Sequence, residues 1–175
     1  QWCTFFSLIS AFVLISLSFD ISQLDTAMFF VALGIFSVVA AIKYTVGDSA
    51  YGYYALGDLF VFIFFGGVSV LGSFYLQTQF LELELLLPAI SIGLFSTAVL
   101  NLNNLRDMDN DLAFNKITLP ILLGSANGKR YHYFLVLFGF FCTLAYAYLK
   151  GAQYSYFLPL LMIIPFGKHL IRIHN

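Results

Sequence analysis

The sequence predicts an all-α, polytopic membrane bundle. Three observations carry this. Mean hydropathy is +0.89, with 61% hydrophobic and 19% aromatic residues, far outside the range of a soluble domain of 175 residues. Six apolar stretches are each about as long as a bilayer is thick, given that roughly 20 helical residues cross 30 Å of hydrocarbon. No stretch alternates with period two, which disfavours a β-barrel.

The six stretches fall at about residues 2–19, 26–42, 59–76, 85–100, 131–149 and 154–171. Each is bounded by polar interruptions, and the sixth carries Pro159 and Pro165, which should kink it. The third contains Gly66, Gly67 and Gly72 among five phenylalanines, a small-residue pattern that usually means close helix packing. Chain-wide there are 21 Phe; in a membrane helix such a ring faces lipid by default, although rings lining a tunnel would suit an isoprenoid chain and a carbocation. Cys3 and Cys142 lie in different stretches without metal-ligand spacing and read as small buried apolar residues. The chain reads as one membrane domain over residues 1–175, and its start at Gln1 suggests a fragment.

Placing six spans in order puts Lys43, Arg106, Lys116, Lys129, Arg130, Lys168 and Arg172 on one side and Lys150 alone on the other. Positive residues mark the cytoplasmic side, so the long polar loops at about 43–58 and 101–130 are expected there. The net charge of −1 says little about partners, and there is no basic patch of the kind nucleic-acid binding requires.

Chemistry concentrates at N-L-N-N-L-R-D-M-D-N-D, residues 101–111, which holds three of the chain's nine acidic residues. On a helix Asn103, Asp107 and Asp111 fall at i, i+4 and i+8, a column of oxygen atoms drifting by about 40° per step. Such a column suits Mg²⁺, which prefers oxygen ligands and shares its shell with substrate phosphates. Arg106 and Lys116 flank it and could hold that phosphate end. A solvated, capping acidic loop explains the same composition. Asp109, about 200° from Asp107, is expected to be solvated or to cap. The first loop, K-Y-T-V-G-D-S-A-Y-G-Y-Y-A-L-G-D, would not support a function alone: Lys43 at a span's end is more often a snorkelling anchor, and its tyrosines form an ordinary interfacial belt. His132, His169 and His174 share no obvious helical face.

The segment 101–111 resembles the second aspartate-rich motif, N-x-x-x-D-x-x-x-D, of the UbiA-type intramembrane aromatic prenyltransferases. K-Y-T-V-G-D-S-A-Y-G-Y-Y-A-L-G-D-L, F-F-G-G-V-S-V-L-G-S-F-Y-L-Q-T and K-I-T-L-P-I-L-L-G look like the branch that prenylates 1,4-dihydroxy-2-naphthoate in menaquinone synthesis. The resemblance implies nine helices around a central cavity, of which this chain holds the third to the eighth. It implies Asn103, Asp107 and Asp111 as Mg²⁺ ligands, Lys43, Arg106 and Lys116 as diphosphate contacts, and Tyr44 as a cavity residue near the leaving group, with Asp107, Asp111 and Tyr44 as the catalytic set. Its partners would be a polyprenyl diphosphate, the dihydroxynaphthoate and the lipid bilayer, in a bacterial inner membrane with the active side cytoplasmic. A chain with one aspartate motif is expected to be inactive alone. That branch carries arginine near Ser49, at Leu112 and around Leu122, and glycine at Asn115. The alternatives are another aromatic acceptor such as 4-hydroxybenzoate, and a non-catalytic membrane protein or small cation transporter.

Overall fold

The computed structural model describes residues 2–47, 50–151 and 154–174, and among them is helical almost throughout. Helix α1 spans Trp2–Ser18, and a 3₁₀ turn at Ile21–Gln23 leads into α2, Leu24–Thr45. The third span is composite: α3 at Gly57–Val61, a π-helical stretch at Phe62–Leu71, and α4 at Gly72–Thr78. Then come α5 at Leu86–Arg106, α6 at Met108–Ala113, α7 at Leu119–Leu123 and α8 at Ser125–Leu149. A 3₁₀ stretch at Tyr154–Met162, containing Pro159, precedes α9 at Ile163–His174.

Among the described residues four helical segments, Ile21–Thr45, Gly57–Thr78, Leu83–Arg106 and Ser125–Leu149, are long and apolar enough to cross a membrane. The expected first and sixth spans are shorter or broken. Helix α1 has 17 residues, and the sixth stretch changes from 3₁₀ to α at Ile163, because Pro159 and Pro165 cannot donate to a continuous ladder.

The core is built by α5, α8 and the third span. Leu94 and Ala98 from α5 meet Leu135, Val136 and Phe140 from α8, and Phe62 and Phe166 pack onto them. Small residues set the approach of backbones. A Cβ on Gly66 would lie 2.5 Å from the Ala89 carbonyl oxygen, and one on Gly139 would lie 2.9 Å from the Phe95 ring. Buried Ser91 donates to the Gly139 carbonyl at 2.9 Å and shares a 2.8 Å hydrogen bond with Thr143, so α5 and α8 are joined by polar as well as apolar contacts. Cys142 is buried, as expected; the side chain of Cys3 lies outside the described residues.

Only one of the three glycines in the third span does the packing expected of all of them. Gly66 faces α5, whereas a Cβ on Gly67 would meet nothing within 4 Å and one on Gly72 only the Phe30 ring at 3.7 Å. The two faces of this span therefore differ.

Both ends of the bundle are tied. At one, the Gln79 amide donates to the Ser18 carbonyl at 2.9 Å and Lys150 pairs with Glu82. At the other, Ala55 N–H donates to Ile117 O at 2.8 Å and Ile117 N–H to Tyr53 O at 3.1 Å, a parallel bridge that holds the two long loops together.

Gly66→Val should destabilise the bundle by about 1–3 kcal/mol, because the added atoms have no room against the α5 backbone, while Gly67→Val should leave stability unchanged. Thermal unfolding of the two variants in detergent checks this; equal melting temperatures would contradict the packing described.

Candidate functional site

Helix α5 carries the apolar span down to Leu100 and then continues for two polar turns. Asn101 is fully buried and its amide donates to the Gly128 carbonyl at 3.2 Å, which fixes the end of α5 against the start of α8. The helix bends at Asp107, whose φ of −99° and ψ of 10° separate α5 from α6. The i to i−4 register nevertheless survives: Asp107 N–H donates to Asn103 O at 3.0 Å and Asp111 N–H to Asp107 O at 2.8 Å.

The expected column is thus present in register but not uniform, and a straight helix is corrected to a bent one. Asn103 is exposed, the Asp107 side chain is 41% exposed and that of Asp111 only 8%. Each carboxylate already holds a cation. Arg106 forms a bidentate pair with Asp107 at 2.7 and 2.8 Å, which the bend permits between adjacent residues. Its hydrogen bond, more than the nearby charges of Arg106 and Lys116, holds the Asp107 carboxyl below the usual range. Lys116 reaches both oxygens of Asp111 at 3.1 Å. Lys116 is brought there by the turn after α6, where Asn115 has φ 54° and Lys116 N–H donates to Asp111 O at 2.8 Å. A left-handed residue at 115 explains why the resembling family has glycine there; asparagine is among the few other residues that adopt it readily. Asp109 is exposed, as expected.

Among the described residues no three His, Cys, Asp or Glu side chains form a ready metal cluster. The donor set that could take Mg²⁺ is two carboxylates and the Asn103 amide, spaced at successive turns. All are oxygen ligands, few enough to leave room for waters and phosphate, which is the coordination this ion accepts.

The other expected residues lie at the end of α2. Lys43 and Tyr44 belong to its last turn, not to the loop, which begins at Val46; Asp48 and Ser49 lie outside the described residues. The Lys43 ammonium folds over Gly47, 3.9 Å from where a Cβ would stand. Tyr44 lines an apolar cavity of about 470 Å³ with Tyr51, Phe60, Phe64 and Leu100. Its walls are a ladder of rings: centroids are 5.5 Å apart for Tyr44 and Tyr51, 4.0 Å for Tyr51 and Phe60, and 6.1 Å for Phe60 and Phe64. Tyr51 donates its hydroxyl to Ala40 O at 2.8 Å, and burial, then the neighbouring Tyr44 phenol, push that hydroxyl's pKa up, so it stays a donor. The structure therefore places the candidates in two groups, Lys43 and Tyr44 at the end of α2, and Asn103, Arg106, Asp107, Asp111 and Lys116 around the α5–α6 bend. Leu100, one helical turn before Asn103, connects them.

Two features escaped the sequence reading. Asp58, at the start of α3, is 6% exposed with one carboxylate oxygen unpartnered and Tyr131 against its carboxyl; an acid opening an apolar run was the available signal. His132 and His169 meet with Nε2 atoms 3.2 Å apart, so one ring donates to the other. They are 37 residues apart on different helices, and no local pattern could join them.

The chain is similar to several curated proteins. It is 40% identical over 168 residues to the 1,4-dihydroxy-2-naphthoate octaprenyltransferase of Haemophilus influenzae, covering 96% of this chain and 54% of that protein. With the Escherichia coli protein of the same name it shares 50% identity over 113 residues, 65% of this chain and 37% of the relative. The Drosophila melanogaster UbiA prenyltransferase domain-containing protein 1 homolog is 35% identical over 119 residues, 67% of this chain and 32% of its own length. The chain thus spans about half the length, or less, of these relatives. No solved structure matches it. The family model described as the UbiA prenyltransferase family matches residues 2–174, and the chain belongs to that family.

Proposed function

We propose that the protein formed by this chain transfers a polyprenyl group from a polyprenyl diphosphate to 1,4-dihydroxy-2-naphthoate, with loss of CO₂, on the route to demethylmenaquinone. One observation carries the reading: the charged turns at residues 103–116 begin one helical turn beyond Leu100, a wall residue of the ring-lined cavity that contains Tyr44. A donor with a charged head and an apolar, cation-forming tail needs those two environments side by side. The names of the Haemophilus and Escherichia relatives support the acceptor and the polyprenyl donor.

In this reading the allylic C–O bond breaks with its electron pair leaving on the diphosphate, the electron-rich ring attacks the allylic carbon, and the ring then releases CO₂. Arg106 and Lys116 present cationic heads at the edge of the carboxylates and bind the oxygens of the leaving group there. Lys43, at the end of α2, adds a third positive charge. The faces of Tyr44, Tyr51 and Phe60 stabilise the allylic cation through their ring quadrupoles, and the apolar cavity excludes water that would quench it. Asn103, Asp107 and Asp111 would hold Mg²⁺, which when bound supplies charge that favours departure of the diphosphate.

The Lys and Arg distribution supports placing this end of the bundle on the cytoplasmic side, and the bacterial relatives support an inner membrane. The charged turns lie at the end of the apolar span Leu83–Arg106 instead of interrupting its middle, which favours the enzyme over a transporter, whose ionisable groups lie near the bilayer midplane.

Membranes containing the protein, given octaprenyl diphosphate, Mg²⁺ and each acceptor acid separately, should form product with dihydroxynaphthoate. Product from 4-hydroxybenzoate alone would move the assignment to another branch. Asp107→Asn and Asp111→Asn should each lower turnover by about a hundredfold or more, and chelation with EDTA should abolish it reversibly; an unchanged Asp107→Asn rate would remove the metal role. Leu112 and Leu122, where the resembling branch has arginine, are 50% and 64% exposed. Leu122→Arg should therefore fold normally and lower the KM for the donor by a few-fold through a new phosphate contact, as steady-state kinetics would show.

A further inference from the structure

Helices α8 and α9 run antiparallel, and the contacts between them fix their register. Phe140 meets Phe166 with ring centroids 5.5 Å apart, His132 meets His169 at 3.2 Å, and Tyr133 donates its hydroxyl to Leu170 O at 3.2 Å. From the phenylalanines to the histidines the α8 numbers fall while the α9 numbers rise, so the next turn beyond the histidines brings the start of α8 beside the end of α9. That turn is basic on both helices. Lys129 lies three and four residues before His132 and Tyr133, on the face that meets α9, and Arg130 follows it. Arg172 lies three residues after His169, with Lys168 one turn before it. Four of the chain's eight Lys and Arg residues therefore converge at the end of one helix pair.

Three other cations have acidic partners: Arg106 pairs with Asp107, Lys116 with Asp111 and Lys150 with Glu82. Among the described residues no carboxylate pairs with any of the four at the α8–α9 end, and Asp58, which meets α8 at Tyr131, is buried. Residues that only orient a span have to lie on the correct side; they do not have to converge. Beyond the cations, deeper along the span, α8 presents a ladder of rings. Phe134, Phe138 and Phe141 are exposed and follow Arg130 at i+4, i+8 and i+11 on one helix face, with successive centroids 5.5 and 5.7 Å apart. On α9, Ile164 is exposed one turn before Lys168. Both helices thus carry positive charge at the end and apolar surface below it.

We propose that this end of the α8–α9 pair binds an anionic phospholipid, its phosphodiester held by Lys129, Arg130, Lys168 and Arg172 and an acyl chain lying along the Phe134 ladder. The headgroup phosphate gives these donors acceptor oxygens and offsets their mutual repulsion. A free phosphate would meet the cations and leave the rings unused, whereas a zwitterionic lipid would bring a cation of its own to a place already crowded with them. A lipid with a net negative head matches both surfaces. Helix α9 is the element such a lipid fastens: with 12 residues it is too short to cross a bilayer, and it follows the 3₁₀ stretch interrupted by Pro159. The histidine contact ties it to α8 on the inside, and the lipid ties it from the outside.

The test is lipid binding by the purified, delipidated protein in detergent, read by native mass spectrometry with phosphatidylglycerol and with phosphatidylcholine. Phosphatidylglycerol should bind in preference. Arg130→Gln and Arg172→Gln should each weaken it by about fivefold, Arg130→Lys and Arg172→Lys should retain most of the affinity, and Lys150→Gln, at the opposite end, should leave it unchanged. Arg130 and Arg172 are exposed, so the variants should melt with the wild type in lipid-free detergent. A second measurement needs no variant: phosphatidylglycerol with a photoreactive group on its acyl chain should label the wild-type protein within residues 134–141 or 163–171. Equal binding of the two lipids, an equal loss in Lys150→Gln, or labelling spread over all the helices overturns the proposal. So does displacement of the lipid by inorganic phosphate alone, which would show an anion site without a lipid.

Discussion

The third span has to satisfy two neighbours in opposite ways, and much of the molecule follows from that. Against α5 it is pressed so closely that Gly66 admits no side chain and Gly93 brings Phe62 to within 2.8 Å of a notional Cβ. In a membrane this closeness is where association energy comes from, since lipid is as apolar as leucine and only van der Waals contact and hydrogen bonding distinguish protein from lipid. Against α2 the same span stands away, separated by aromatic rings. A continuous α-helix would repeat its small-residue face every third or fourth residue. Adjacent residues of a helix point to different sides, so the neighbouring glycines of the stretch Phe62–Leu71 serve different faces, Gly66 for packing and Gly67 for open space.

Charge is handled with the same economy. Asp111 is almost fully withdrawn from water, and an unpaired carboxylate there would cost several kcal/mol. Lys116 meets both its oxygens, and the Asn115 turn delivers Lys116 to that position. Asp107 needs no such protection because it is partly solvated, so its pair with exposed Arg106 contributes little to stability. Two carboxylates four residues apart in sequence thus differ in kind: one is held inside the turn, and the other is free to exchange partners at the surface.

How much of this was legible in the sequence depends on whether the feature was local. Spans were readable because hydropathy over twenty residues needs no tertiary information, and the sixth failed where Pro159 and Pro165 said it would. The spacing of Asn103, Asp107 and Asp111 was readable, but the bend at Asp107 was not: no glycine or proline marks it, and it arises where the helix leaves the bundle and α6 turns toward the second loop. Lys43 and Tyr44 were assigned to a loop because polar residues follow, whereas α2 continues through Thr45. Asp58, and the contact of His132 with His169, depended on which helices become neighbours. The different fates of Gly66 and Gly67 likewise depended on which face of the third span α5 packs against.

The bridge between Tyr54 and Ile117 explains why the two loops act as one. Each alone is a polar connection with no core of its own, and its conformation would be set by solvent. Two backbone hydrogen bonds, at Ala55 and Ile117, lock their relative register; Ala55 is left-handed within that lock and Asn115 is left-handed two residues before Ile117. Left-handed backbone at a residue with a side chain is unfavourable and persists only where its surroundings enforce it. Loosening the bridge would relax both turns together: Lys116 would leave Asp111, and the chain before Gly57 would no longer hold Tyr51 under the Ala40 carbonyl. The charged turns and the Tyr51 wall of the ring-lined cavity are therefore held by one local structure.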